Sequence, residues 1–201
     1  MATESPRAVT AAVPESQWTA REAEFLAITL RLLQQHGYDR LSLEEVAIEA
    51  RASKATIYRR WPSKAELVLA AFIESTRGET VVPQTGSLRD DLLAIGLQVC
   101  EHAERHTPTM RAVLNEVARS PGLVAAFRRE FIDARHRVVV AVLDNAVERG
   151  EIDRAAINDE LWDVLPGYLV FRTLLPGVPP TPETVQVLVD DVMMPSLLRT
   201  R

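Results

Sequence analysis

Residues 51–64 read Arg51-Ala52-Ser53-Lys54-Ala55-Thr56-Ile57-Tyr58-Arg59-Arg60-Trp61-Pro62-Ser63-Lys64, and this stretch decides the fold. It carries five basic side chains and no acidic one, in a chain of 201 residues with a net charge of -5. Lys54 and Lys64 are the only lysines. A short basic run is ordinarily a solvated helix face, so its surroundings have to decide. Ser53 and Ser63 carry the small oxygen-bearing side chains that accept from free N–H groups at a helix start, which frames one helix from Ser53 and another from Ser63. In the first, Ile57 and Trp61 fall four apart and turn toward the core, which leaves the basic side chains outward.

Upstream, Ser42 with Glu45 starts a short helix that carries Leu43, Val46 and Ala47 inward and breaks near Arg51 and Ala52. Thr19 with Glu22 forms a capping box for a helix whose stripe of Phe25, Ile28, Leu32 and Leu33 stops at Gly37. Ser63 with Glu66 caps a fourth helix, running through Leu67, Leu69 and Phe72 to about Glu74. The helix from Ser53 alone has Thr56 where the other three have a glutamate. A helix whose N-terminus faces phosphate has reason to exclude a carboxylate there. Two short helices joined by a tight turn, followed by basic and hydroxyl residues, have the geometry that lays a recognition helix in the major groove of DNA. Phosphate contacts fall to Ser53, Thr56, Tyr58 and Lys64, and base reading to Lys54, Arg59 and Arg60.

Phe25 to Phe72 resembles the DNA-binding domain of the tetracycline-repressor-like (TetR/AcrR) regulators. The match rests on Gly37-Tyr38, on Ser42-Leu43-Glu44-Glu45-Val46-Ala47 and on the run from Ser53 to Lys64. The resemblance implies phosphate contacts from Ser42, Thr56, Tyr58 and Lys64, and base contacts from the helix holding Lys54 and Arg59. It also implies a repressor that binds double-stranded DNA as a homodimer. Arg51 stands where the family usually has glycine. A positive φ there costs arginine roughly 1 kcal/mol that glycine avoids. Either the turn is strained or rearranged, or Arg51 adds a DNA contact.

The rest of the chain divides into a mobile tail (1–17), the helix-turn-helix domain (18–77), a linker (78–86) and a second helical domain (87–201). From Trp18 to Arg77 there are nine basic and eight acidic residues, against thirteen and eighteen from Gly78 onward, so the acidity sits in the second domain. There, one helix is expected from Ser87 to about Arg105 and a second from Pro108 to about Arg119. A long third runs from Ser120-Pro121 to Gly150, with Val124, Phe127, Phe131, Val138, Val142 and Ala146 inward. A fourth, from Asn158 to about Leu175, is interrupted at Pro166-Gly167. The last starts at Thr181-Pro182 and buries Val185, Leu188, Val189 and Val192. The fold class is all-α, of about nine helices.

Thr85 to Leu92, Glu148 to Ile152 and Gly167-Tyr168 resemble the C-terminal domain of one branch of the same family. This implies a cavity for a small apolar or amphipathic effector and a dimer interface from the last two helices. A kink at Pro166 opens space that Met110, Phe127, Phe131, Trp162, Tyr168 and Phe171 could line, with His136 or Arg172 as polar anchor. The same aromatics could simply fill the core. His102 and His106 share a helix face at metal-ligand spacing, but two surface histidines are the simpler reading, and no metal or cofactor is expected. Cys100 reads as a small buried apolar residue, and one cysteine allows no internal disulfide. Signal-peptide and membrane-spanning patterns are lacking, so a cytoplasmic protein is expected. The chain lacks a glycine-rich phosphate loop, a nucleophile elbow and a metal set, which argues against an enzyme and leaves an activator or a ligand-independent DNA-binding protein as alternatives to a repressor.

Overall fold

The computed structural model describes residues 16–79, 81–157, 160–175 and 179–198, without the side chains of Glu79, His102, Ala103, Glu104 and Trp162. The expected tail, up to residue 15, lies outside the described residues. All regular structure among the described residues is helical, which is the all-α class the sequence implies. The first helices are α1 (Ala20–Arg40), α2 (Leu43–Glu49), α3 (Lys54–Arg60) and α4 (Lys64–Thr76). Thr19 and Glu22 form the full reciprocal capping box of α1, while Ser42, Ser53 and Ser63 each accept from the N–H three residues on. Gly37 does not end α1; it kinks the helix at φ 76°, and the chain resumes helical form to Arg40.

Farther on come α5 (Leu88–Val117), α6 (Pro121–Phe127), α7 (Asp133–Glu148), α8 (Leu161–Leu174), α9 (Pro182–Val187) and α10 (Met194–Leu197). Where two helices were expected around Pro108, α5 runs straight through. The proline is exposed, so water can satisfy the carbonyl that its missing N–H leaves unpaired. Likewise α8 continues across Pro166. π turns at Arg128–Ile132 and Leu188–Met193 join α6 to α7 and α9 to α10. A π turn brings a side chain back to the same face after five residues rather than four. Met193 is therefore buried beneath Leu188, and Val192, expected inward, is exposed. Val124 is exposed as well, with Leu123 buried in its place.

The described residues form two compact units, one holding 16–79 with 106–134 and the other 81–105 with 135–198. A boundary between the units thus falls inside the expected linker. In the first unit α1 packs on α4 and α2, and α2 on α3. Phe25, Leu26, Val46, Ile57, Leu67 and Phe72 are buried between them.

The second unit has its own core from α5, α7, α8 and the α9–α10 rod, including Leu92, Val142, Leu165, Leu169, Val189 and Met193. Polar ties hold its edges. The fully buried Asp91 carboxylate accepts from Thr85 N (2.7 Å), Thr85 Oγ1 (2.8 Å) and Arg149 Nη2 (3.1 Å). Glu151 accepts from the N–H of Leu88 at 2.7 Å and pairs with Arg149. Desolvation works against its ionisation, yet these partners hold its carboxyl below the usual range. Arg89 forks onto both oxygens of Asp190, at 2.7 and 2.9 Å. The segments around Asp91 and Arg149 that resemble the family's C-terminal domain are therefore two sides of one ion-paired joint.

Close packing of α5 on α9 rests on Gly96, where an added Cβ would lie 2.3 Å from Val185 Cγ1. Gly96→Ala is expected to lower stability by about 1–3 kcal/mol in urea unfolding, and Val185→Ala in the same chain to recover part of the loss.

Candidate nucleic-acid interface

Two short helices meet at residues 50–53, and their hydrogen bonds define the turn. The N–H of Arg51 donates to the carbonyl of Ile48 (3.1 Å) and that of Ala52 to Ala47 (2.9 Å). This is the paired closure of a Schellman motif, which requires a left-handed residue just past the helix. Arg51 occupies that place with φ 49°, the sole non-glycine residue at positive φ among those described. The turn keeps the glycine geometry and imposes it on an arginine. Arg21 donates to the carbonyl of Ala50 and Arg31 pairs with Glu49, fixing the end of α2 against α1.

Beyond the turn, α3 presents a basic face on a buried base. Ile57 is fully buried and Trp61, the C-cap, is 3% exposed, packed edge-on against Phe25 at 6.2 Å. No acidic residue stands in the first turn of α3. The hydroxyls of Ser53 and Thr56 bond to each other at 2.8 Å beside the helix start. Lys54, Tyr58 and Arg59 are exposed, with the Lys54 ammonium 5.4 Å from the Tyr58 ring centroid and paired with Glu44 of α2. Arg59 and Arg51 make no ion pair or side-chain hydrogen bond among the described residues.

Two of the residues expected at DNA have internal partners. Arg60 donates its Nε to Glu22 at 2.7 Å and lies 4.5 Å over the Trp18 ring, turned back toward α1. Glu22 is in turn held below the usual carboxylate range, chiefly by the N–H of Thr19 and further by Arg60. The Lys64 ammonium donates to the carbonyls of Tyr38 (2.8 Å), Leu41 (3.2 Å) and Asp39 (3.5 Å) and sits 4.3 Å from the Tyr38 ring centroid. Ser42, half-buried, caps α2. Burial and the Glu116 carboxylate push the Tyr38 phenol up to about 12, so it stays protonated as a donor to Glu116.

The residues expected to line an effector cavity are divided between the two units. Met110, Phe127 and Phe131 are buried in the first unit, where Phe131 stacks 4.9 Å from Phe127 and 4.9 Å from Phe72. His136 is exposed; Tyr168 and Phe171 are 40% and 56% exposed on α8, with Arg172 donating to Tyr168 Oη at 3.2 Å. They face outward because α8 buries Leu161, Leu165 and Leu169 instead. The Trp162 side chain lies outside the description.

His106, expected at the surface, is buried edge-on to Phe72; the His102 side chain is not described. No group of three metal-ligating side chains occurs among the described residues. Cys100 is half-buried, with its thiol pushed up mainly by burial. Sequence reasoning missed Trp18, Glu22 and Glu44, the partners of the basic face. It also missed Thr109, fully buried beside Met110 with its hydroxyl unpaired.

These features define a helix-turn-helix DNA-binding protein. Comparison with known proteins agrees: residues 25–71 match the bacterial regulatory proteins of the tetR family, and residues 82–192 the tetracyclin repressor-like C-terminal domain. An uncharacterised HTH-type transcriptional regulator of Mycobacterium tuberculosis is 60% identical over 185 residues, covering 92% of both chains. A protein of Mycobacteroides abscessus named as a DNA-binding transcriptional repressor is 37% identical over 176 residues, 87% of this chain and 92% of that one. The crystal structure of a TetR family transcription regulator shares 29% identity with a TM-score of 0.73, covering 90% of this chain and all of the other (100%). The chain belongs to the TetR family of bacterial transcriptional regulators.

Urea unfolding separates the internal roles of two basic residues. Arg51→Gly is expected to raise stability by up to about 1 kcal/mol through relief of the left-handed arginine, and Lys64→Ala to lower it by about 1.5–3 kcal/mol through loss of a charged donor to the carbonyls. Unchanged stability of Lys64→Ala would show that its only work lies outside the fold.

Proposed function

We propose that this regulator is a ligand-released repressor that binds a palindromic operator as a homodimer. The observation that carries the reading is the outward face of α3, where Lys54 and Arg59 project from a helix whose buried side is locked by Ile57 and Trp61. Those two side chains read bases, and Ser42, Ser53, Thr56 and Tyr58 position the helix on phosphates. Arg51, unpaired and exposed at the turn, reaches a neighbouring phosphate. Arg60 and Lys64 serve first as struts and contact DNA only after leaving their internal partners. The naming of the Mycobacteroides abscessus relative as a repressor supports the sign of regulation. No described helix is long and apolar enough to cross a membrane, which agrees with action on cytoplasmic DNA.

Residues 18–77 serve as the DNA-binding domain, 78–86 as the linker and 87–201 as the effector-binding and dimerisation domain. The exposed apolar side chains of α8 and the α9–α10 rod, Tyr168, Phe171, Val187, Val192 and Leu198, support a dimer interface on the last two helices. A small apolar or amphipathic effector fits the aromatic cluster of Met110, Phe127 and Phe131, where the unpaired Thr109 hydroxyl offers a polar anchor. Phe72 carries that cluster's contact into α4, so a shift there moves α3. Recognition helices of a dimer must lie roughly 34–36 Å apart to read one face of DNA, and a small pivot of α4 suffices to release it.

Gel retardation on duplexes from the region upstream of the protein's own gene tests this. Arg59→Ala is expected to relax base preference at one position by about 1–3 kcal/mol, whereas Tyr58→Phe weakens all sequences alike. Equal effects from both would overturn the division of roles, and failure of the unsubstituted protein to retard any duplex would overturn the reading. Phe171→Asp is expected to shift the protein toward monomer in sedimentation and to weaken operator binding in parallel.

A further inference from the structure

Beside the recognition helix, and wholly within its unit, lies a cavity of about 320 Å³. Trp18 and Trp61 form one wall, Leu69 and Ile73 of α4 a second, and Leu123 and Ala126 of α6 a third. None of these belongs to the aromatic cluster assigned to the effector. The indole N–H groups of Trp18 and Trp61 are both buried, and neither has an acceptor among the described residues. Buried donors are almost always paired, so two orphans at one cavity call for an oxygen acceptor. The Arg60 guanidinium lies over the two rings, 4.5 Å from the Trp18 centroid and 6.0 Å from that of Trp61. It is a long, half-exposed side chain bonded through Nε alone, so it can adjust to a ligand without moving the backbone.

The charges around the cavity narrow the ligand class. Arg60 opposes a cation. Glu66 and Glu130 oppose an anion; Glu130 already accepts from Arg129 (2.6 Å) and Gln17 (3.3 Å), whereas the Glu66 carboxylate has no partner among the described residues. We infer that this cavity is a second effector site, for a small neutral molecule of one or two rings with a carbonyl oxygen for the indole N–H groups. An amide adds an N–H for Glu66. The volume suits a ligand at the small end of the usual range of about 300–1,000 Å³. Such a ligand ties Arg60 and Trp61, the last residue and the C-cap of α3, to α4 and α6, and keeps Arg60 from DNA. The effect on DNA rests on the operator-binding reading; the site itself does not.

Trp162→Phe leaves Trp18 and Trp61 as the emitters among the three tryptophans, so fluorescence then reports on the site alone. Titration with phenylacetamide is expected to give a saturable change with a dissociation constant of about 1 mM or tighter. Phenylacetate and phenethylamine, the matched anion and cation, bind at least about tenfold more weakly. Ala126→Leu fills the cavity and abolishes binding while thermal melting shows it folded. Trp18→Phe keeps a ring, loses a donor and weakens binding about fivefold by calorimetry. Absence of saturation, equal binding of the three probes, or unchanged binding by folded Ala126→Leu overturns the site. With phenylacetamide bound, retardation is expected to need about threefold more protein; binding without that change overturns the effector role. Failure of the free protein to retard DNA counts instead against the operator-binding reading.

Discussion

One ammonium group holds the DNA-binding unit in register. The last carbonyls of a helix have no partners of their own, and the kink at Gly37 gathers those of Tyr38, Asp39 and Leu41 around a single point. Lys64, the first residue of α4, fills that point. Because α2 and α3 lie in the chain between the two ends, this contact closes a loop around them. Tyr38 extends the joint, with its ring beside the ammonium and its phenol on Glu116 of α5. A cation among three carbonyls is stronger than a neutral hydrogen bond only while all three stay in place. The contact therefore ties the start of α4 to the end of α1.

The local code of residues 42–66 was legible because each signal acts over three or four residues. A serine accepts from the N–H three on, and apolar side chains four apart share a face. The destinations of the basic side chains were not legible. Arg60 finds Glu22 across 38 residues, and Lys64 finds carbonyls 23 to 26 residues away, contacts that no spacing rule contains. In α8 the limit was of another kind: Tyr168 and Phe171 are apolar enough for a core, but hydropathy does not say which apolar face the chain itself covers. The π turn at Leu188–Met193 defeated the projection in a third way, by changing the period on which the inward reading of Val192 depended.

The acid-free window is neutralised from outside itself. Glu22 engages Arg60 and Glu44 engages Lys54, so the basic patch seen in sequence is half-paired in the fold. Exchanging a carboxylate for a phosphate returns less than meeting phosphate with a free cation, since part of the attraction is already spent. Arg59 and Arg51 are under no such tax. Such pairing lowers the free charge on which non-specific affinity depends. An overall acidic chain is consistent with DNA binding on these terms, because the relevant charge is the unpaired charge on one face.

The same helix-ending motif occurs twice among the described residues, which isolates the contribution of Arg51. After α7, the N–H of Gly150 donates to Val147 (3.0 Å) and that of Glu151 to Ala146 (2.9 Å), with Gly150 at φ 75°. After α2 the pattern repeats residue for residue, with arginine in the glycine place. The backbone hydrogen bonds are equivalent, so they cannot repay the roughly 1 kcal/mol that separates the two residues at positive φ. No ion pair of Arg51 among the described residues offsets it either. The turn between α2 and α3 therefore holds this strain without an internal return among the described residues.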